Sequence, residues 1–183
     1  EDYFLSYLLE RVLNLPNIVS LDADTSSDKK LLNFLLFIFP KYLENAIRKG
    51  LYKQYIHKQY NDTNIKGKID IPRHLIKNTP FIGNIAYSQR LFSYDNMLME
   101  LIRHTIEFVK SKSYGSIILS DIKEELKLIV NATQSYRACD RQKIIEQNKK
   151  NSIRHAYFSE YSALQRLCIL ILKSEKHDIG SGI

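Results

Sequence analysis

The sequence predicts an α+β chain, mainly helical, with helices packed around a small antiparallel β-hairpin unit. Apolar residues recur at helical spacing up to residue 50 and again from residue 93. Between these points the pattern changes to alternation at every second residue, and turn residues mark each change of period. At 183 residues the chain is long enough to bury a core without help from metals or disulfides.

The elements follow in order. Phe4, Leu5, Leu8, Leu9, Val12 and Leu13 form an amphipathic first helix that ends at Asn14–Pro16. The polar stretch from Ser20 ends at Asp28, which can cap a second helix from about Lys29 to Lys49. Gly50 is its stop and Pro40 should kink or divide it. Tyr52 to Tyr60 is aromatic and β-branched, and Asn61-Asp62-Thr63-Asn64 is a turn, so a hairpin with Ile65–Ile71 is expected. In that second arm Ile65, Ile69 and Ile71 share a face with Gly67, opposite Lys66, Lys68 and Asp70. Pro72 opens a short helix through Lys77, and another strand lies within Ile82–Phe92.

Helix resumes after Ser93. Asp95 or Ser93 caps a stripe of Leu98, Leu101, Ile102, Thr105, Ile106 and Val109, which stops near Gly115. Ser120-Asp121 caps the next, with Glu124 placed for a capping box and Ile122, Leu126, Ile129 and Val130 inward. A last helix, roughly Tyr157 to Lys173, is apolar on most sides, and Lys176–Ile183 reads as the start of a linker. The organisation expected is N-terminal helices (1–50), a finger-like β insertion (51–94) and a C-terminal helical part of the same domain (95–175), then the linker (176–183).

Net charge is +7 and unevenly spread. From Lys41 to Lys77, seven Lys and two Arg stand against Glu44, Asp62 and Asp70, a net +6. Tyr42, Tyr52, Tyr55 and Tyr60 are interleaved with them, which suits nucleic acid through phosphate pairing and base stacking. Lys53, Lys58 and Lys77 are the candidate DNA contacts; a solvated basic face, or a dock for an acidic protein surface, is the competing reading. A second basic stretch, residues 137–154, has a net +4.

Several chemistries are excluded or disfavoured. None of the six glycines builds a phosphate loop. The Asp22-x-Asp24-x-Ser26-x-Asp28 run copies the opening of a calcium loop but has Ser27 at the sixth position and Asn33 at the twelfth. Asp28-x-Lys30, Asp121-x-Lys123 and Glu125-x-Lys127 have the letters of a metal-dependent nuclease pair, but in helical surroundings their side chains diverge. His104, with Glu100 and Glu107 at helical spacing, reads as part of a surface ion-pair face. Cys139 and Cys168 have no metal-site spacing and read as reduced thiols of a cytoplasmic protein. No apolar run is long enough to span a membrane and no signal peptide is visible, so neither a metal, a cofactor nor a membrane is expected for this chain.

IKGKIDIPRHL, followed by IAYSQRLFSYDNMLMELIRHTIEF, resembles the McrC family, the nuclease-bearing subunit of McrBC-type modification-dependent restriction systems. Gly67-Lys68 and Asp95-Asn96 carry the match, and Arg48-Lys49-Gly50-Leu51 and Tyr157, Phe158 and Tyr161 extend it; Met99 departs from it, since Asn is common there. The resemblance implies an adaptor half that engages a McrB-like AAA+ GTPase hexamer and stimulates hydrolysis. Lys66, Lys68, Arg73 and Arg90 are the implied partner contacts, Gly67 a structural glycine, and Asp95 and Asn96 the helix start. It further implies a Mg2+-dependent PD-(D/E)xK nuclease domain after residue 183, and DNA in the assembled complex. The alternative is a free-standing basic DNA-binding module.

Overall fold

The computed structural model describes residues 27–178, and the amphipathic stretch 3–13 and most of the acidic run 22–28 lie outside them. The fold is α+β and mainly helical, with one three-stranded antiparallel sheet. The described residues divide into two compact units: the helical one comprises residues 27–52 and 97–178, and the other is Lys53–Asn96.

In the helical unit, α1 (Ser27–Ile47) starts two residues earlier than the capping pattern suggested and continues through Pro40 as one element. Gly50, at φ +92, ends it by donating its N–H to the Ile47 carbonyl at 2.7 Å. Then follow α3 (Met97–Lys110), α4 (Gly115–Ile118), α5 (Lys123–Ala132), α6 (Arg141–Lys150) and α7 (Ser159–Asp178). Helix α3 packs on α7 and on α6, while α1 packs on α7.

Every residue of the stripe expected on α3 is buried, and Met99 and Phe108 join it, so this helix is enclosed on most sides. Leu35, Leu36, Phe39 and Leu43 of α1 meet Leu164, Leu167, Ile171 and Leu172 of α7 in the same core. Each such side chain contributes roughly 1.5–3 kcal/mol on burial. Three buried side chains find partners inside this core: Asn148 donates to the Met97 carbonyl at 2.8 Å, Gln165 donates to Asn148 at 2.9 Å, and Tyr161 donates to the Gly50 carbonyl at 2.8 Å.

Three local expectations are corrected. Helix α5 follows a 3-10 turn at Ser120–Ile122 and has no side-chain cap; Ser120 bonds Asp121, and Glu124 pairs with Lys127 at 2.8 Å, so no capping box forms. Val130 is 38% exposed whereas Ile129 is fully buried. Helix α7 runs to Asp178, so the linker expected from residue 176 begins as helix, and 179–183 lie outside the described residues.

In the Lys53–Asn96 unit, β1 (Gln54–Asp62), β2 (Lys68–Ile69) and β3 (Ile85–Ser93) form a sheet in the order β1-β3-β2. The hairpin expected between 52–60 and 65–71 is therefore not made. Strand β1 pairs along its whole length with β3, from Gln54 opposite Ser93 to Asp62 opposite Ile85, and β2 takes the other edge of β3. The reason is length. The nine residues of β3 offer β1 a full ladder, whereas the 65–71 arm leaves the strand early because Asp70 caps helix α2 (Ile71–Lys77), accepting from the Arg73 N–H at 3.2 Å. Ile71 thus belongs to a helix, not to the strand face expected for it.

Candidate functional site

The Lys53–Asn96 unit holds five Lys and two Arg against three Asp, a net +4 of the chain's +7. Antiparallel register assigns its side chains to faces. On one face lie Tyr55, His57 and Gln59 of β1, opposite Phe92, Arg90 and Ser88 of β3, with Lys68 of β2 also opposite Ser88. Lys53 and Tyr94 continue this face beyond the strand ends, with the Lys53 ammonium 4.2 Å from the Tyr94 ring centre and 5.6 Å from that of Phe92. The Arg90 guanidinium lies 4.2 Å over Tyr55, and Tyr55 packs on Phe92 at 4.8 Å. Tyr55, Phe92 and Tyr94 are 57%, 56% and 40% exposed.

The other face is occupied. Tyr60 stacks on Tyr87 at 5.3 Å, and the Tyr87 hydroxyl donates to Asp62 at 3.2 Å. Burial, reinforced by that carboxylate, raises the Tyr87 phenol above its ordinary pKa. Of the four tyrosines read from the basic stretch, Tyr55 alone is exposed: Tyr60 is stacked on Tyr87, Tyr42 packs against the helical core, and Tyr52 packs on Phe158 and Tyr161.

Arg73 does not stand on a polar outer face as expected. Its side chain is 16% exposed, forms an ion pair with Asp70 at 3.3 Å, and donates to the carbonyls of Tyr60 and Tyr87 at 3.1 and 2.7 Å. These two residues face each other across β1 and β3, so Arg73 ties α2 to the sheet. Asn78, buried, completes the attachment through Asn61 and His74.

Lys58, Lys66, Lys68, Lys77 and Arg90 are exposed and Lys53 is half-buried; among the described residues none of the six makes an ion pair. At Gly67 a methyl group would collide with the Ser88 carbonyl, which explains a glycine beside β2. The turn into α3 is built by Ser93, which accepts from the Asp95 N–H at 3.0 Å, and by Asn96, which donates to the Ser93 and Tyr94 carbonyls at 3.1 and 3.0 Å.

One group of surface residues had no sequence signal beyond ordinary helix periodicity. No residue of helix α2 is fully buried. Ile71, Leu75 and Ile76, with Phe81 and Ile82 after it, are 60–83% exposed.

In the helical unit, His104 is the main correction. It is fully buried, its ring lies 4.7 Å from Tyr136, and neither ring nitrogen has a hydrogen-bond partner among the described residues. Glu107 instead pairs with Arg103 and Lys110, at 3.0 and 3.1 Å. Burial, with Arg141 adding to it and Asp140 opposing, lowers the imidazole pKa to about 4. A cleft of about 550 Å³ nearby is lined by Glu100, Arg137, Asp140 and Lys143, whose charges balance. Cys168 is buried with its thiol pushed up to about 12, while Cys139 is exposed. Among the described residues no group of three or more His, Cys, Asp or Glu could hold a metal ion, and no helix is long and apolar enough to cross a membrane.

A family model described as McrBC 5-methylcytosine restriction system component matches residues 1–182. No curated protein matches the sequence. Among solved structures, the chain is similar to one in the cryo-EM structure of the Thermococcus gammatolerans McrBC complex, with 14% identity and a TM-score of 0.45 over 91% of this chain and 45% of that one. It is also similar to a chain in a half-complex of a tetradecameric assembly of Thermococcus gammatolerans McrB AAA+ hexamers with bound McrC, with 14% identity and a TM-score of 0.44 over 91% of this chain and 36% of that one. The chain thus spans less than half the length of each.

Proposed function

The chain belongs to the McrBC 5-methylcytosine restriction system component family, and from that premise we propose that it is the partner-binding half of a McrC-like subunit. It engages a McrB-like AAA+ GTPase hexamer in the cytoplasm through the Lys53–Asn96 unit and stimulates nucleotide hydrolysis. DNA cleavage in the assembled complex is then the work of a Mg2+-dependent PD-(D/E)xK domain outside this chain.

The observation that carries this reading is the surface of that unit. A self-contained sheet and helix expose Ile71, Leu75, Ile76, Phe81 and Ile82 together with cations that make no ion pair among the described residues. Large exposed apolar groups beside polar ones are what a protein interface requires. Lys66 and Lys68 supply charge that could order a carboxylate of the partner. Arg73 acts indirectly, by holding α2 on the sheet.

The test mixes the full chain with the AAA+ protein of the same system and measures complex formation and GTPase rate. Ile76→Asp with Ile82→Asp should abolish both effects, and Lys68→Ala should lower the stimulated rate while binding persists. If the wild-type chain neither binds nor stimulates any AAA+ partner, the reading is wrong.

A further inference from the structure

We propose that the open face of the sheet, bounded by Lys53, Tyr55, Arg90, Phe92 and Tyr94, binds single-stranded DNA. This goes beyond the partner reading, which rests on α2, the segment after it, and Lys66 and Lys68. Tyr55 and Phe92 are paired on one face of the β1–β3 ladder, where same-face positions along a strand are spaced by roughly 6.6–6.8 Å, and Tyr94, just past the end of β3, joins them through the Lys53 ammonium that lies over both Phe92 and Tyr94. Each ring carries a cation at cation–π distance: Arg90 on Tyr55, and Lys53 on Tyr94 and Phe92.

The chemistry of the face selects its ligand. His57, Gln59, Ser88 and Lys68 extend it, and no carboxylate occupies any of these positions. Two of the unit's three carboxylates are bound internally, Asp62 to the Tyr87 hydroxyl and Asp70 to Arg73, and Asp95 lies past the end of β3. Cations of this kind attract phosphates, and rings about half exposed offer bases a π surface worth roughly 1–3 kcal/mol per stacked base. A duplex keeps its bases stacked inside and could engage only the cations. An acidic polypeptide would also pair with the cations but has no flat bases for the rings. The combination of ring and cation therefore fits an unpaired strand.

The experiment measures fluorescence anisotropy of a labelled oligothymidine of roughly 12 nucleotides, a length such surfaces cover, with the full chain and no partner protein. The same measurement is made with a duplex of equal length. The single strand should bind at least about tenfold tighter than the duplex, with affinity falling as salt rises. Tyr55→Leu with Phe92→Leu, which keeps apolar bulk in the sheet, should weaken single-strand binding about tenfold or more, and Tyr55→Phe should retain it. Arg90→Gln and Lys53→Gln, at exposed and half-buried positions, should each reduce the salt slope by about 0.7. Circular dichroism establishes that the variants are folded. No binding at low salt, equal or tighter binding of the duplex, or indifference to the leucine substitutions overturns the proposal. So does polyglutamate that competes as well as unlabelled oligothymidine at equal charge. All of these outcomes are independent of GTPase stimulation, so failure here and failure of the partner reading are distinguishable.

Discussion

Arg73 and His104 are the two residues whose environment differs most from what their neighbours in sequence suggest. Arg73 follows Pro72 in a run rich in cations, which reads as surface, yet it donates to two carbonyls across the β1–β3 ladder. Hydrogen bonds from a charged group contribute roughly 1.5–3 kcal/mol each, with losses that overlap when one side chain makes both. Arg73→Ala should therefore destabilise the Lys53–Asn96 unit by about 2–4 kcal/mol, read as a lower urea midpoint, and Arg73→Lys should recover little because a point ammonium cannot reproduce the fork. His104 gives a pH dependence. Its folded pKa of about 4 lies below the unfolded value of about 6.5. The unfolded state alone binds a proton between these values, so stability is full above about pH 6.5 and declines by up to about 3 kcal/mol as pH falls to about 4. His104→Leu should flatten that slope in urea titrations at several pH values. The helical spacing of Glu100, His104 and Glu107 was legible in the sequence. What covers that face was not, because Tyr136 is brought to it by tertiary packing.

At the scale of elements, period was a better guide than partner. The stripe on α3 and the strand expected within Ile82–Phe92 both appear in the structure, the latter as β3. The pairing of strands does not, because adjacency in sequence favours a hairpin whereas ladder length and the Asp70 cap send β2 to the far edge of β3. Gly67 marks that crossing. Gly67→Ala should cost roughly 1–3 kcal/mol, since the collision is with backbone that has no rotamer to change. Faster amide exchange at Lys68 and Ile69 would report it, and unchanged exchange there would show that the strand tolerates the methyl group. The candidate DNA-binding face was half legible: the basic and aromatic composition was visible, but its assembly from 53/55 and 90/92/94 requires the β1–β3 register.

At the scale of the whole molecule, the Lys53–Asn96 unit leaves the helical unit after Tyr52 and returns at Met97. Gln54 is opposite Ser93, so the entering and leaving strands run side by side, with paired Cα atoms about 4.5–5.5 Å apart. Replacing Lys53–Asn96 with a short Gly/Ser linker should leave a helical protein that unfolds in one cooperative transition, followed by circular dichroism, while any GTPase stimulation disappears. Loss of that transition would show that the helical unit needs the sheet to fold. The charge asymmetry of the sequence corresponds to this division, since most of the net charge falls within the excisable unit.

The same adjacency of strand ends governs how the unit responds to force. Tension applied through Tyr52 and Met97 reaches the β1–β3 ladder at the Gln54–Ser93 end only. Hydrogen bonds would then part in succession, as in a zipper, instead of sharing the load as they would in shear. The Arg73 clasp at Tyr60 and Tyr87, near the opposite end, would be reached late. A partner that hauled on this unit along the chain would peel it open at low force, so durable engagement requires that it be gripped across its surface.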